Sequence, residues 1–360
     1  MNYKIQSASS KPAYLQLYEQ LRANIVSGVY PYMSKLPSKR LIASESGVSV
    51  ITAEHAYELL CDEGYAESRE RSGYYVIFRE NDGFSLPQED YGAPCRSIPH
   101  PEIDQDFPFS LIAKSMRRVL SEYGELILVK SPNCGCDALR LALSRYLARS
   151  RGICAAPEQI VVGSGAEYLY GLIVEMLGND RVYGIENPSY EKIEKVYQAR
   201  GVHCEGLPLG QDGIESAALA NSRASVLHIT PFRSYPSGVT ASASKRREYL
   251  RWASADGRFI VEDDFESEFT VSTKPEETIF SLSSGENVIY LNTFSRTISP
   301  SIRVGYMVLP KPLLPAFESR IGFYSCTVPA FVQLLLADLI NRGDFERHIN
   351  RVRRAKRKRM

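Results

Sequence analysis

The stretch Val288-Ile-Tyr-Leu-Asn-Thr-Phe-Ser-Arg-Thr-Ile-Ser-Pro-Ser-Ile-Arg-Val-Gly-Tyr306 constrains the fold of this chain more than any other. It opens with an apolar run, Val288 to Leu291, of the length of a buried strand. Small hydroxyl residues, Thr293 and Ser295, then turn the chain. Arg296 follows, and Arg303 precedes a second apolar run. Upstream, Arg258-Phe-Ile-Val-Glu-Asp-Asp-Phe-Glu-Ser-Glu268 reads as a second strand that ends in carboxylates. Two strands with chemistry at their carboxyl ends predict an open α/β sheet, with a ligand site outside those ends.

With 360 residues the chain has room for two domains, one of them large. A formal net charge of +1 identifies no partner, because opposite local charges cancel within it. The seven cysteines are scattered and form no C-x-x-C; Cys134-Gly-Cys136 is too tight for zinc spacing. They read as reduced thiols. No metal site is expected: the acidic run Glu262, Asp263, Asp264 and Glu266 reads as a solvated loop and not as a metal cluster. The first residues lack the apolar core of a signal peptide, and no apolar run reaches the ~18 residues of a membrane span. The expectation is a cytoplasmic protein.

Residues 12–79 read as one unit. Tyr14, Leu15, Leu17, Tyr18, Leu21 and Ile25 recur at helical spacing, and Gly28 stops that helix. Leu36-Pro-Ser-Lys-Arg40 is a cap leading into a short helix that ends at Gly47. Ser49 caps a third helix, with Thr52 in its first turn. Gly64 to Phe78 alternates like two short strands around a turn at Ser72-Gly73. This order is that of a winged helix-turn-helix. The unit resembles the GntR-type DNA-binding domain through Pro12-Ala-Tyr-Leu-Gln-Leu-Tyr-Glu-Gln-Leu21, Leu36-Pro-Ser-Lys-Arg40, Gly47-Val-Ser49, Ala56-Tyr57, Glu63-Gly-Tyr65 and Arg71-Ser-Gly-Tyr-Tyr-Val76. The resemblance implies double-stranded operator DNA as partner. It places Pro37, Ser38, Lys39, Arg40, Ser49, Val50, Ile51 and Thr52 against backbone and major groove, and Arg69, Arg71, Ser72 and Gly73 on the wing. Many relatives carry Arg at the position of Val50, so one bidentate guanine contact, worth ~1–3 kcal/mol, is missing here.

The domains are expected at 10–79 (DNA binding), 80–105 (linker), 106–345 (large α/β domain) and 346–360 (the start of a C-terminal small domain). Pro87, Gly92, Pro94, Pro99 and Pro101 break regular structure in the linker. Beyond it, Leu111–Tyr123 and Cys136–Arg151 read as amphipathic helices. Ile160-Val-Val-Gly-Ser-Gly-Ala-Glu-Tyr-Leu169 reads as strand, glycine turn and helix, a cradle for an anion. His228 reads as a side chain packed on a strand.

Taken together, the second domain resembles fold-type I pyridoxal-phosphate (PLP) enzymes, in the form carried by MocR-type regulators. That form reads roughly E-D-D-Y-D-S-E-F and then S-F-S-K-T-x-x-P-x-x-R-x-G-Y. The resemblance implies an aminotransferase-like large domain with a mostly parallel sheet and helices on both faces. It implies PLP held by Ser164, Gly165 and Ala166 at the phosphate, with Tyr190 and Phe265 at the ring. Asp263 would face the pyridine nitrogen, and Ser295 and Arg303 would add phosphate contacts. The lysine of the family falls on Arg296. A guanidinium stays protonated and is a poor nucleophile, so it cannot form the Schiff base. The expectation is therefore a regulator without aminotransferase activity, with PLP bound non-covalently or absent. A small anionic or amino-acid-like effector and a homodimer are expected with it. The alternatives are a working PLP-dependent aminotransferase and a decayed fragment of such a regulator.

Overall fold

Ser38 and Ser49 start two helices of the first unit. Their hydroxyls accept the amides of Leu41 (3.2 Å) and Thr52 (3.1 Å), and Gly47 closes the shorter helix in the left-handed conformation. The computed structural model describes residues 3–6, 11–70, 72–79, 107–255, 257–270, 277–283 and 285–359. Arg71 and the expected linker 80–105 lie outside them. The chain divides into two units, Met1–Pro99 and His100–Met360. In the first, α1 (Ala13–Val26), α2 (Lys39–Ser46) and α3 (Val50–Asp62) precede the antiparallel pair β1 (Ala66–Arg69) and β2 (Gly73–Val76). Leu17, Leu21, Ile42, Ala53, Tyr57 and Leu60 form its core. The Tyr57 hydroxyl donates to the Pro37 carbonyl at 2.7 Å and fixes the approach to α2.

The second unit opens with α4 (Phe109–Tyr123) and α5 (Asp137–Arg151), followed by β3 (Ile160–Gly163) and α6 (Ala166–Leu177). Next come β4 (Val182–Asn187), α7 (Glu191–Gln198), β5 (His203–Gly210), β6 (Gly213–Ile214), α8 (Ser216–Asn221) and β7 (Val226–Ile229). Then follow α9 (Ala243–Ala253), β8 (Phe259–Asp263), α10 (Ile279–Leu282), β9 (Val288–Thr293) and β10 (Gly305–Val308). The last helices are α11 (Leu314–Arg320), α12 (Ala330–Asn341) and α13 (Asp344–Arg359). α13 runs unbroken across the expected division at 345/346.

The eight strands form one sheet in the order β3-β10-β9-β8-β7-β4-β5-β6. From β9 to β5 they are parallel; β10 runs antiparallel between β3 and β9. Alternate strand residues feed two cores, as the two-residue period demands. Val161, Val226, Val261, Ile289 and Leu291 face the side covered by α6, α7 and α11. Val162, Leu227, Ile260 and Tyr290 face the side covered by α5, α9 and α12. All six residues of β9 are buried, as befits a parallel strand with helices over both faces.

The second predicted strand is shorter than its sequence pattern. β8 ends at Asp263, not Glu268, because the next carboxylates are drawn inward. Asp264 meets Arg151 Nη2 at 2.5 Å and the Tyr290 hydroxyl at 2.7 Å. Ser267–Phe269 closes into a single 3-10 turn.

Candidate functional site

In the first unit, α3 presents its N-terminal turn outward: Val50 and Ile51 are exposed, Ile51 the more so at 67%. Thr52 is half-buried, and its hydroxyl lies 2.8 Å from that of Ser49. Lys39 and Arg69 are less free than their positions in the motif suggest. Lys39 Nζ pairs with Glu54 at 2.5 Å, and Arg69 pairs with Glu67 at 2.6 Å while stacking over Tyr75. Arg40 is exposed and, among the described residues, has neither ion pair nor side-chain hydrogen bond. Ser72 shares a 2.8 Å hydrogen bond with the Tyr75 hydroxyl, and Gly73 takes φ +109° beside Lys35. Arg71 lies outside the described residues.

In the second unit, β3, β4, β7, β8 and β9 bring their carboxyl ends to one edge of the sheet. A cavity of about 330 Å³ opens there, lined by Ala166, Tyr190, Asp263, Phe265, Ser295, Arg296 and Arg303, all expected, and by Glu167, Tyr170, Thr230, Tyr235 and Thr293. Ser164 and Gly165 form the turn that leads into it.

Asp263 is buried, and its carboxylate is half satisfied. Oδ2 accepts the Tyr170 hydroxyl, while Oδ1 has no partner. His228 stands beside it: Nδ1 is 2.6 Å from the Tyr197 hydroxyl, and Nε2 lies 3.6 Å from Asp263 Oδ2, too far for a hydrogen bond. So His228 does pack on a strand, as its sequence context suggests, and it also walls the carboxylate. Burial, and then the negative charge of Asp263, push the Tyr170 phenol well above its usual range. Tyr170 is therefore a donor to Asp263 at any physiological pH.

The turn before α6 is shaped for an anion. Gly165 adopts φ +92°, where a side chain is strained, and an added Cβ would come within 3.1 Å of the Arg303 guanidinium. The guanidinium thus lies over the α6 N-terminus, whose first amides have no intrahelical acceptor. Arg303 itself sits at φ +47° and reaches Glu167 only at 3.5 Å. Thr327 steadies the turn by accepting the Ser164 amide at 3.2 Å. Ser295 is held at 3.0 Å by the Thr293 hydroxyl.

Arg296 turns to Glu266: Nη2 lies 2.8 Å from Oε1. The same carboxylate receives Arg233 Nε at 3.6 Å. The pairing of both arginines with Glu266 was not expected from the sequence. A carboxylate three positions after Asp263 was the available signal.

The residues present suit a phosphorylated pyridine. The partnerless Asp263 Oδ1 is an acceptor for a ring N–H, and the α6 turn with Arg303 is a phosphate cradle. No amine stands at position 296. Among the described residues, no group of three or more His, Cys, Asp or Glu is placed to hold a metal, and no helix is long and apolar enough to cross a membrane.

Comparison with known proteins agrees with this architecture. Residues 13–76 match the family "Bacterial regulatory proteins, gntR family", and residues 112–360 match "Aminotransferase class I and II". The chain belongs to the helix-turn-helix regulators of MocR type, in which these two domains are joined. It is 32% identical over 358 residues to the uncharacterized HTH-type transcriptional regulator YdeL of Bacillus subtilis (strain 168), covering 96% of this chain and 77% of that one. It is 30% identical over 371 residues to the probable rhizopine catabolism regulatory protein MocR of Rhizobium meliloti, covering 95% and 74%. Among solved structures it resembles the Pyrococcus horikoshii kynurenine aminotransferase in complex with PMP, at TM-score 0.61 and 26% identity. That match covers 69% of this chain and 64% of the other, so the chain spans less than two thirds of that enzyme.

Proposed function

We propose that this regulator binds operator DNA through α3, Arg40 and the wing, and reads a phosphopyridine ligand in the cavity of its second unit without covalent attachment. The observation that carries the ligand reading is the buried Asp263 Oδ1 left without a partner. A buried acceptor in that state costs ~1–3 kcal/mol, which a ring N–H would offset. Asp263 would hold the ring nitrogen, the 164–166 turn with Ser295 and Arg303 the phosphate, and Tyr190 and Phe265 the walls. When bound, PLP supplies an electron-poor aldehyde. This chain offers that aldehyde no amine at position 296, so the domain acts as a receptor and not as a transaminase.

For DNA, the exposed first turn of α3 and the unpaired Arg40 support a major-groove reading. The apolar side chains of Leu120, Leu126, Leu128 and Phe323 are exposed, and the bond from Asn133 Nδ2 to the Gly322 carbonyl (2.8 Å) holds the two segments side by side. A second copy of the chain would cover them, and a two-fold dimer suits paired half-sites. Residues 80–105 would tether the two units, and the setting would be the cytoplasm. Selection of bound duplexes from a random pool, followed by titration with pyridoxamine 5'-phosphate, tests the reading. We expect a paired motif whose affinity shifts with the ligand. Equal binding to all duplexes would refute the DNA assignment, and calorimetry without heat would refute the ligand.

A further inference from the structure

Glu266 is an unusual neighbour for a ligand pocket. Its side chain is only 13% exposed, and it is met by Arg296 at 2.8 Å and Arg233 at 3.6 Å. Lys356 of α13 stands in the same field, its ammonium 5.2 Å from the centre of the Phe269 ring. Burial, opposed by Glu266 and reinforced by Arg233 and Arg296, lowers the pKa of Lys356. Two guanidiniums therefore share one carboxylate, with the Lys356 ammonium nearby. Each guanidinium carries five donors, and Glu266 can take few of them. The arginines are half-exposed, at 49% and 51% of their side chains, so their remaining donors face outward. Arg233 is also fixed in place: its backbone is left-handed at φ +55°, and its amide donates to Thr240 Oγ1 at 3.1 Å. Arg296 belongs both to this cluster and to the cavity wall.

We infer that Arg296 and Arg233 form a carboxylate subsite, which Glu266 fills until a ligand displaces it. The ligand would be a phosphopyridoxyl amino acid taken up whole. This rests on the reading that the cavity takes the phosphopyridine ring at Asp263. An amino acid and PLP condense in solution without a protein catalyst: the amine nitrogen bonds to the aldehyde carbon, and water leaves. A receptor for the product needs no lysine. It needs a cradle for the phosphate, an acceptor for the ring nitrogen and a cationic fork for the carboxylate. A guanidinium suits that last role better than an amine, because its donors match a carboxylate in pairs. Residue 296 as arginine thus moves the site from making the bond to reading its product.

Calorimetry with two stable probes tests this: pyridoxamine 5'-phosphate, which lacks a carboxylate, and N-(5'-phosphopyridoxyl)-alanine, the reduced adduct. The adduct should bind roughly tenfold or more tighter than pyridoxamine 5'-phosphate, the increment of a charge-assisted pair. Arg233→Gln should remove most of that advantage. Glu266→Gln should enlarge it, since the internal competitor loses its charge. Equal affinities for the two probes in the unaltered protein would overturn the subsite while leaving the ring reading intact. So would weaker adduct binding in a folded Glu266→Gln variant. If neither probe binds, the ring reading fails and this inference fails with it.

Discussion

Glu186 stands at the end of β4, behind the wall of the cavity. It is buried, and its Oε2 accepts the Ser234 hydroxyl at 2.5 Å, between Arg233 and Tyr235. Burial pushes its carboxyl from the ordinary 4.5 up to about 8, against the Ser234 bond and the Thr230 amide, which lower it. The group is raised in the folded state, so its contribution to stability is fully present below pH 4.5. That contribution falls as pH rises, because the unfolded chain ionises first, and it is gone above pH 8. At 1.36 kcal/mol per pH unit the whole span is worth about 5 kcal/mol, an upper figure for a buried group. Glu186→Gln keeps an acceptor for Ser234 and removes the titration. The variant should gain on the parent by about 1.4 kcal/mol for each pH unit between 5 and 8, and no further above that. Urea unfolding followed by fluorescence of Trp252, the only tryptophan, reports on this unit alone. Glu262 and Glu268, both pushed up to about 7 by burial, titrate in both proteins and largely cancel in the difference. A stability difference that stays constant from pH 5 to 8.5 would refute the reasoning.

Three further outcomes are expected. Arg40→Ala should weaken operator binding by ~1–3 kcal/mol if the side chain reads a base, or lower the salt slope by about one if it meets a phosphate; filter binding across a salt series distinguishes these. Arg296→Lys should create a link to PLP that borohydride fixes at position 296, read by peptide mass spectrometry, whereas the parent should show none there. Gly165→Ala should destabilise the second unit by ~1–3 kcal/mol in urea unfolding, because φ +92° is costly for alanine, and should weaken pyridoxamine 5'-phosphate binding by crowding Arg303.

Local chemistry was readable from the sequence wherever one short segment determines the structure. Ser38 and Ser49 as caps, Gly47 as a stop and the all-apolar start of β9 each depend on neighbours a few residues away. Asp263 was legible through the resemblance to the PLP-enzyme motif, which its run of carboxylates carries. What escaped lies in pairings between distant segments. Tyr170 meets Asp263 across 93 residues, and Arg296 meets Glu266 across 30. No periodicity reports such a contact. Lys39 shows the converse: its motif position suggested a free charge for DNA, yet Glu54 from the next helix already holds it. The extent of β8 was overestimated because Asp264 leaves the strand for a partner far away in sequence. In the fold it is buried beside Arg151.

Arginine at position 296 and Asp263 bear differently on the history of this pocket. The β9–β10 connection does not depend on what side chain occupies 296. The Phe294 amide donates to the Val304 carbonyl at 2.9 Å, Phe294 and Ile298 are buried, and the Arg296 side chain is half-exposed. Arginine in place of lysine there costs the fold little. Asp263 is the opposite case. It buries a carboxylate with one oxygen unpaired, a standing cost of ~1–3 kcal/mol that Asn or an apolar residue could relieve. The left-handed backbone of Arg303 holds further strain at the same site. A chain that had merely lost its cofactor would gain stability by releasing these features one at a time. Their joint presence around an arginine that cannot form the covalent bond is what the proposed receptor, holding its ligand by contacts alone, requires.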